Sequence, residues 1–239
     1  MGRAFEVRKA SMMKTGLVKT KIYSRYSKEI YIAAKNGGTD LESNLTLKRL
    51  IEKAKKDQVP ADIIKRAIDK VESGVGENYK LNQYEGFGAG GATILVECLT
   101  DNDNRTISEV KNAFTKSNNK IGVAGSVNYL YDYIGIISVK NISEDDMMNL
   151  MIEKDIDAKD IELDEDIVSV YIDPRDFQTA HNQISKLIKS EDIIMDEVTW
   201  ISQSNVILEG DDLESFTKLI NMLNECDDVQ NIYHNVENI

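Results

Sequence analysis

The apolar residues of the first third of the chain recur at helical spacing. The first such run contains Ile22, Tyr26 and Ile30. The Gly-Gly pair at residues 37–38 ends this run, because glycine readily adopts the backbone that follows a helix. Two further runs with the same period begin behind Asn44, a common helix cap, and Pro60, which suits a first helical turn. The pattern predicts a small bundle of three amphipathic helices.

From residue 92 the pattern changes to alternating strands and helices. The predicted strands are residues 92–99, 127–133, 136–139, a segment around 161, 167–172, 193–200, 206–208 and 229–233. The predicted helices are residues 104–116, 143–152, 174–188 and a final one from Asp211 or Asp212 to 223. Residues 135–200 then read βαββαβ, the order of a ferredoxin-like domain.

The strands on either side of this unit lack partners of their own. Joining them avoids unpaired strand edges, so we predict that one domain is inserted into another. The predicted fold is α+β: an N-terminal three-helix bundle over residues 1–78, followed by two ferredoxin-like α/β domains. The first is discontinuous, with residues 79–134 plus 201–239, and the second is the insertion at 135–200.

Gly86, Gly88 and Gly91 satisfy the dinucleotide fingerprint G-x-G-x-x-G. That fingerprint binds a pyrophosphate only when its glycines follow a strand and open a helix. Here the glycines lead into the strand at 92–99, so we interpret them as a close-packing loop and predict no nucleotide cofactor.

Charge is distributed unevenly along the 239 residues. Residues 1–70 hold 17 Lys and Arg against 8 Asp and Glu, whereas the remainder holds 12 against 33. A basic segment on an otherwise acidic protein of net charge −12 indicates a polyanion partner for that segment. The candidate nucleic-acid-binding residues are Arg3, Arg8, Lys9, Lys14, Lys19, Lys21, Tyr23, Arg25, Lys28 and Arg105.

These residues differ in the contact that we expect of them. The cations would neutralise phosphates, and Tyr23 would stack, whereas Tyr26 shares the apolar face of its helix and is expected in the core. Arg105 stands at a predicted helix start, so it either binds a phosphate there or pairs with a nearby carboxylate while Asn104 caps the helix. The sequence contains no signature of a helix-turn-helix, RRM or KH module, so it does not support reading of specific bases.

Several longer motifs carry a resemblance to a known family. They are residues 84–88 (Tyr-Glu-Gly-Phe-Gly), 95–102 (Leu-Val-Glu-Cys-Leu-Thr-Asp-Asn), 104–106 (Asn-Arg-Thr), 122–127 (Gly-Val-Ala-Gly-Ser-Val), 227–230 and 233–236. Together they closely resemble the YebC/PmpR family, nearest its YeeN-type branch, over the whole chain. The resemblance implies three domains and a role as a probable transcriptional regulator that binds DNA, or as a translation factor that binds ribosomal RNA at the ribosome. Residues 4–7 depart from the Lys-Trp pair that family members generally carry there.

Other classes of function are less well supported. The chain has two cysteines without a C-x-x-C spacing, and its only histidines are His181 and His234. This set indicates neither a zinc site nor a nucleophilic triad. We therefore predict that the protein is not an enzyme and has no cofactor or metal. Adjacent acids such as Asp227-Asp228 are interpreted as helix caps or solvated faces. No membrane-spanning or signal segment is recognisable, and a cytoplasmic location is expected. The acidic domains are expected to meet ribosomal or other proteins, and a small-molecule-sensing module is the remote alternative.

Overall fold

The computed structural model describes residues 19–74 and 78–239. The helical region consists of α1 (Lys19–Gly37), α2 (Leu45–Lys56) and α3 (Ala61–Glu72). It is followed by β1 (Lys80–Phe87), β2 (Thr93–Thr100), α4 (Asp103–Lys116), β3 (Lys120–Ile121), β4 (Tyr131–Lys140), α5 (Glu144–Glu153), β5 (Ala158–Asp164), β6 (Ile167–Ile172), α6 (Phe177–Leu187), β7 (Ile193–Ser202), α7 (Gly210–Glu225) and β8 (Val229–His234). No helix in these described ranges is long and apolar enough to cross a lipid bilayer.

The helical region has a core of its own, as the spacing predicts. Ile30 and Leu47 are fully buried, and Tyr26 is only 6% exposed, which confirms its assignment to the core. Asn44 caps α2: its side-chain oxygen accepts the Leu47 N–H at 3.0 Å, and its amide donates to two carbonyls at the end of α1. Pro60 lies one residue before α3, at its cap.

The other elements form two four-stranded sheets. The first has the strand order β3-β1-β2-β8, and α4 and α7 pack against each other beside it. The second has the order β5-β6-β4-β7 with antiparallel neighbours throughout, and α5 and α6 cover one of its faces. This order is that of a ferredoxin-like domain, and the predicted α+β class is confirmed.

Three element predictions are wrong. Strand β1 was not predicted, because polar residues such as Asn82 and Gln83 interrupt its alternation. The strands predicted at 127–133 and 136–139 are replaced by one strand, β4, which runs through Gly135. A Cβ at Gly135 would lie 2.5 Å from the Phe177 ring. This glycine therefore permits close packing and does not end the strand. The predicted strand at 206–208 is one bridge between Val206 and Val236.

Three helix starts also differ from their predictions. Helix α7 starts at Gly210, behind Glu209, and Asp211 and Asp212 lie in its first turn rather than at its cap. Asn102, and not Asn104, caps α4 by accepting the Arg105 N–H at 3.1 Å. Helix α6 starts at Phe177, behind Asp176, rather than at Pro174. All three shifts are within the few residues by which caps and turns move a helix end.

The described chain divides into two compact units. One contains residues 128–207 and 233–238, and the other contains the described residues up to Val127 together with Leu208–Ile232. The helical region and the strands β1, β2 and β3 therefore belong to the same unit. The finer boundaries at 1–78, 79–134 plus 201–239, and 135–200 stay a prediction.

The glycine segment 86–91 forms a β-hairpin between β1 and β2. Gly86 lies inside β1, where a Cβ would be 2.2 Å from the ring of Phe114 in α4. Gly90 has a φ of 65°, which favours glycine. No helix follows this segment, so its geometry is that of a tight hairpin packed on helices.

We expect Gly86→Ala to lower the free energy of unfolding by about 1–3 kcal/mol, because the new methyl group overpacks the core against Phe114. Urea denaturation measures this loss. The control is Phe114→Leu, which also destabilises by removing ring atoms but opens space for the methyl group. The double variant should therefore lose less than the two single losses added together. Strict additivity would show that Gly86 and Phe114 do not compete for the same space.

Candidate nucleic-acid interface

The predicted cations of α1 turn one helix face toward the first sheet. Lys21 donates to the Cys226 carbonyl at 3.0 Å, and Arg25 donates to the Asn231 side chain at 2.8 Å. Lys28 donates to the carbonyls of Leu99 and Asp227 at 3.3 and 3.0 Å. These contacts join the helical region to β2, to β8 and to the residues that directly precede β8.

Asp228 is the centre of this junction, and its side chain is only 3% exposed. One carboxylate oxygen accepts from Lys28 at 3.0 Å, and the other accepts from Arg105 at 2.7 Å and from Thr106 at 2.8 Å. Thr100 donates to that second oxygen at 3.1 Å. We call Asp228 with these four partners the Asp228 cluster. A buried carboxylate needs such pairing, because an isolated charge in a core is very unfavourable.

The pKa of Asp228 lies below its usual value of 3.8. Burial would raise this pKa, but hydrogen bonds from Arg105, Lys28 and Thr106 to the charged form outweigh the burial. Burial lowers the pKa of Lys21, and the nearby Cys226 and Asp227 partly oppose that shift. The interpretation of Asp227-Asp228 as solvated acids or caps is therefore wrong for Asp228.

Arg105 has a side chain that is 43% exposed and pairs with Asp101 at 2.8 Å as well as with Asp228. Together with Lys21 and Lys28 it lines an open groove of about 840 Å³. The acids in the lining are Asp101, Glu109, Glu225, Asp227 and Asp228. Because these carboxylates outnumber the three cations, the groove is a poor site for a polyanion.

The motifs found in the sequence converge in space. The segment 122–127 is tied to Glu85 of β1: the buried Glu85 carboxylate accepts the Gly125 N–H at 2.6 Å and the Val127 N–H as well. Gly122 N–H donates to the Glu85 carbonyl at 2.8 Å. The motifs at 95–102, 104–106 and 227–230 meet at the Asp228 cluster. The motifs therefore mark two tertiary junctions of the first sheet.

The structure describes two of the remaining predicted site residues, Lys19 and Tyr23. Lys19 is exposed, and Tyr23 is half-buried and packs against the helical core. Arg3, Arg8, Lys9 and Lys14 lie outside the described residues. The proposed phosphate contacts of all these residues stay predictions.

Sequence reasoning did not single out the cations of α2. They are Lys48, Arg49, Lys53, Lys55 and Lys56, against one acid, Glu52, in that helix. Lys55 and Lys56 are exposed, and they lie in the last turn. The signal was present in the charge count for residues 1–70, but that count does not distinguish cations that face solvent from those that face the protein. Helix α2 therefore combines five cations and one acid with two lysines that are exposed in its last turn.

Comparison with known proteins covers nearly the whole chain. A family model described as the TACO1/YebC protein N-terminal domain matches residues 3–74, and one described as the TACO1/YebC second and third domain matches residues 79–236. A probable transcriptional regulatory protein of Alteromonas mediterranea is 46% identical over 98% of both chains. One of Vibrio parahaemolyticus is 44% identical over 99% of this chain and 100% of its own.

A solved structure has the same fold. The crystal structure of a conserved hypothetical protein from Aquifex aeolicus superposes with a TM-score of 0.75 at 34% identity, covering 92% of this chain and 90% of that one. The finer assignment to the YeeN-type branch stays a prediction.

We expect Asp228→Asn to lower the free energy of unfolding at pH 7 by about 3 kcal/mol, because the amide leaves Lys28 and Arg105 without their buried counter-charge. A folded pKa below 3.8 means that the carboxylate stabilises the fold above that pH and loses this effect as pH falls through the folded pKa. The difference between wild type and variant should therefore shrink below pH 3.8 in urea titrations.

Asp227→Asn is the matched control, since Asp227 is exposed and one residue away. It should change stability by less than about 0.5 kcal/mol. Equal effects of the two variants, or a difference that does not change with pH, would show that the Asp228 cluster does not stabilise the junction.

Proposed function

The chain belongs to the TACO1/YebC family, and we propose that it is a nucleic-acid-binding, non-enzymatic regulator of gene expression, acting as a DNA-binding transcriptional regulator. The names of its relatives support the regulatory role. The observation that carries nucleic-acid binding is the pair of exposed lysines, Lys55 and Lys56, on α2, within residues 1–70, where basic residues exceed acidic ones. A cytoplasmic location stays a prediction.

The exposed lysines of α2 suit a sequence-independent contact with phosphates. Lys55 and Lys56 extend from the last turn of the helix, so both ammonium groups can approach a nucleic-acid backbone without breaking a fold contact. Each phosphate that a lysine neutralises releases a condensed counterion, and this gain dominates binding at low salt. In the proposed complex Arg3, Arg8, Lys9, Lys14 and Lys19 add to the same electrostatic contact.

The cations of α1 contribute in another way. Lys21, Arg25 and Lys28 hold the helical region against the first sheet, so they set the orientation in which α2 is presented. Their replacement would alter binding through the fold as well as through charge. Variants of Lys55 and Lys56 separate these two effects.

Structured ribosomal RNA is the alternative target, with the chain as a translation factor at the ribosome. Phosphate contact alone does not distinguish a DNA duplex from folded RNA, and the sequence contains no recognisable base-reading module. The family that the sequence resembles includes members that act on the ribosome.

We expect the double variant Lys55→Glu/Lys56→Glu to bind nucleic acid about tenfold or more weakly, with the slope of log K against log salt reduced by about 2. Fluorescence anisotropy with a labelled DNA duplex and with a ribosomal RNA hairpin, each titrated with salt, measures both quantities. The control is Lys111→Glu/Lys116→Glu, which makes the same charge change at two exposed lysines of α4. Equal weakening by both variants would show that net charge, and not α2, governs binding.

The target is decided by sedimentation of a cell lysate through a density gradient at low and raised salt. Migration with DNA supports transcriptional regulation, and migration with ribosomal particles supports the alternative. Migration with neither at low salt would contradict nucleic-acid binding.

A further inference from the structure

Strand β5 lies at the outer edge of the second sheet. Within residues 19–74 and 78–239 it pairs with β6 alone. An edge strand has a row of backbone N–H and C=O groups that point away from its neighbour, and these groups can pair with an added strand. Lys159, Asp160 and Leu163 of β5 are exposed, so the strand is accessible.

Exposed aliphatic side chains lie on β5 and on the helix that packs against it. Leu163 is 56% exposed and lies two residues from Ile161, which is buried beneath α5, so both side chains point to the same face of the sheet. Met148 and Ile152, 45% and 70% exposed, are one turn apart on a single side of α5, and α5 packs on β5. Every second side chain of an added strand would point to this face of the sheet and cover these aliphatic side chains.

The opposite face of β5 is acidic. Asp160, Glu162 and Asp164 alternate with the aliphatic positions, and Glu162 accepts the Tyr171 hydroxyl at 2.8 Å. Across residues 144–166 there are eleven acidic side chains and two lysines. This charge repels a nucleic acid and attracts cationic side chains.

We propose that the outer edge of β5 binds an extended segment of a partner protein in which lysine or arginine alternates with aliphatic residues. The segment adds a strand to the sheet: its backbone pairs with β5, its aliphatic side chains pack on Leu163, Met148 and Ile152, and its cations face Asp160, Glu162 and Asp164. This docking surface includes none of the cations of α2, and the proposal does not depend on nucleic-acid binding.

The test uses a synthetic seven-residue peptide, matched in length to β5, in which lysine and valine alternate. Hydrogen exchange of the full chain should show slower exchange of β5 amides when the peptide is added. Anisotropy of the labelled peptide should show Leu163→Lys and Ile152→Lys each weakening binding by about tenfold, since each loses an aliphatic contact and adds a repelling charge. Both positions are exposed, so the variants should fold, which circular dichroism checks.

Leu187→Lys is the matched control, because Leu187 is an aliphatic residue on α6 that is 64% exposed. It should leave peptide binding unchanged. Two control peptides should bind far more weakly than the alternating peptide. One has the same composition with its lysines and valines in two separate blocks, and the other is N-methylated at alternate residues.

Three outcomes would overturn the proposal. In the first, the alternating peptide does not bind at low salt. In the second, the peptide slows hydrogen exchange only at amides that do not belong to β5. In the third, the alternating, block and N-methylated peptides bind equally well. The last would show attraction by charge without strand addition.

Discussion

The buried carboxylate of Asp228 joins the helical region to the first sheet within one of the two compact units. Its four partners come from α1, from the end of β2 and from the first turn of α4. A charge with so little exposure is tolerated only while these donors surround it, so the elements that supply them are fixed relative to one another. The helical region is therefore joined to the first sheet by electrostatics at a defined point, and its apolar core lies within its own three helices.

This constraint divides the cations of the helical region between two tasks. Lys28, Lys21 and Arg25 face carboxylate, carbonyl and amide oxygens of the protein, and in these positions they stabilise the junction. Lys55 and Lys56 of α2 are exposed, so their charges face solvent. The number of basic residues in a region is therefore an upper bound on the number of cations that can contact a polyanion, because some of them pair with acids within the fold.

Local patterns in the sequence predicted the helices and the second sheet well. The spacing of Ile22, Tyr26 and Ile30, the cap at Asn44 and the βαββαβ order all depend on residues close together in the chain. Strand β1 was missed because its burial is set by neighbours on β2 and not by its own alternation. The Asp228 cluster could not be predicted at all, since Lys28 and Asp228 are 200 residues apart and adjacent acids ordinarily face solvent.

The charge separation along the chain also limits which partner each part can meet. Residues 144–166 are so acidic that contact with phosphates would be strongly unfavourable there, whatever the shape of the surface. The same acids lie on alternate positions of β5, so their repulsion of polyanions and their attraction for cationic peptides follow from one arrangement. The basic helices and the acidic sheet edge thus exclude each other's ligands. In the two proposals, the nucleic acid and the basic protein segment therefore bind to different residues of the chain.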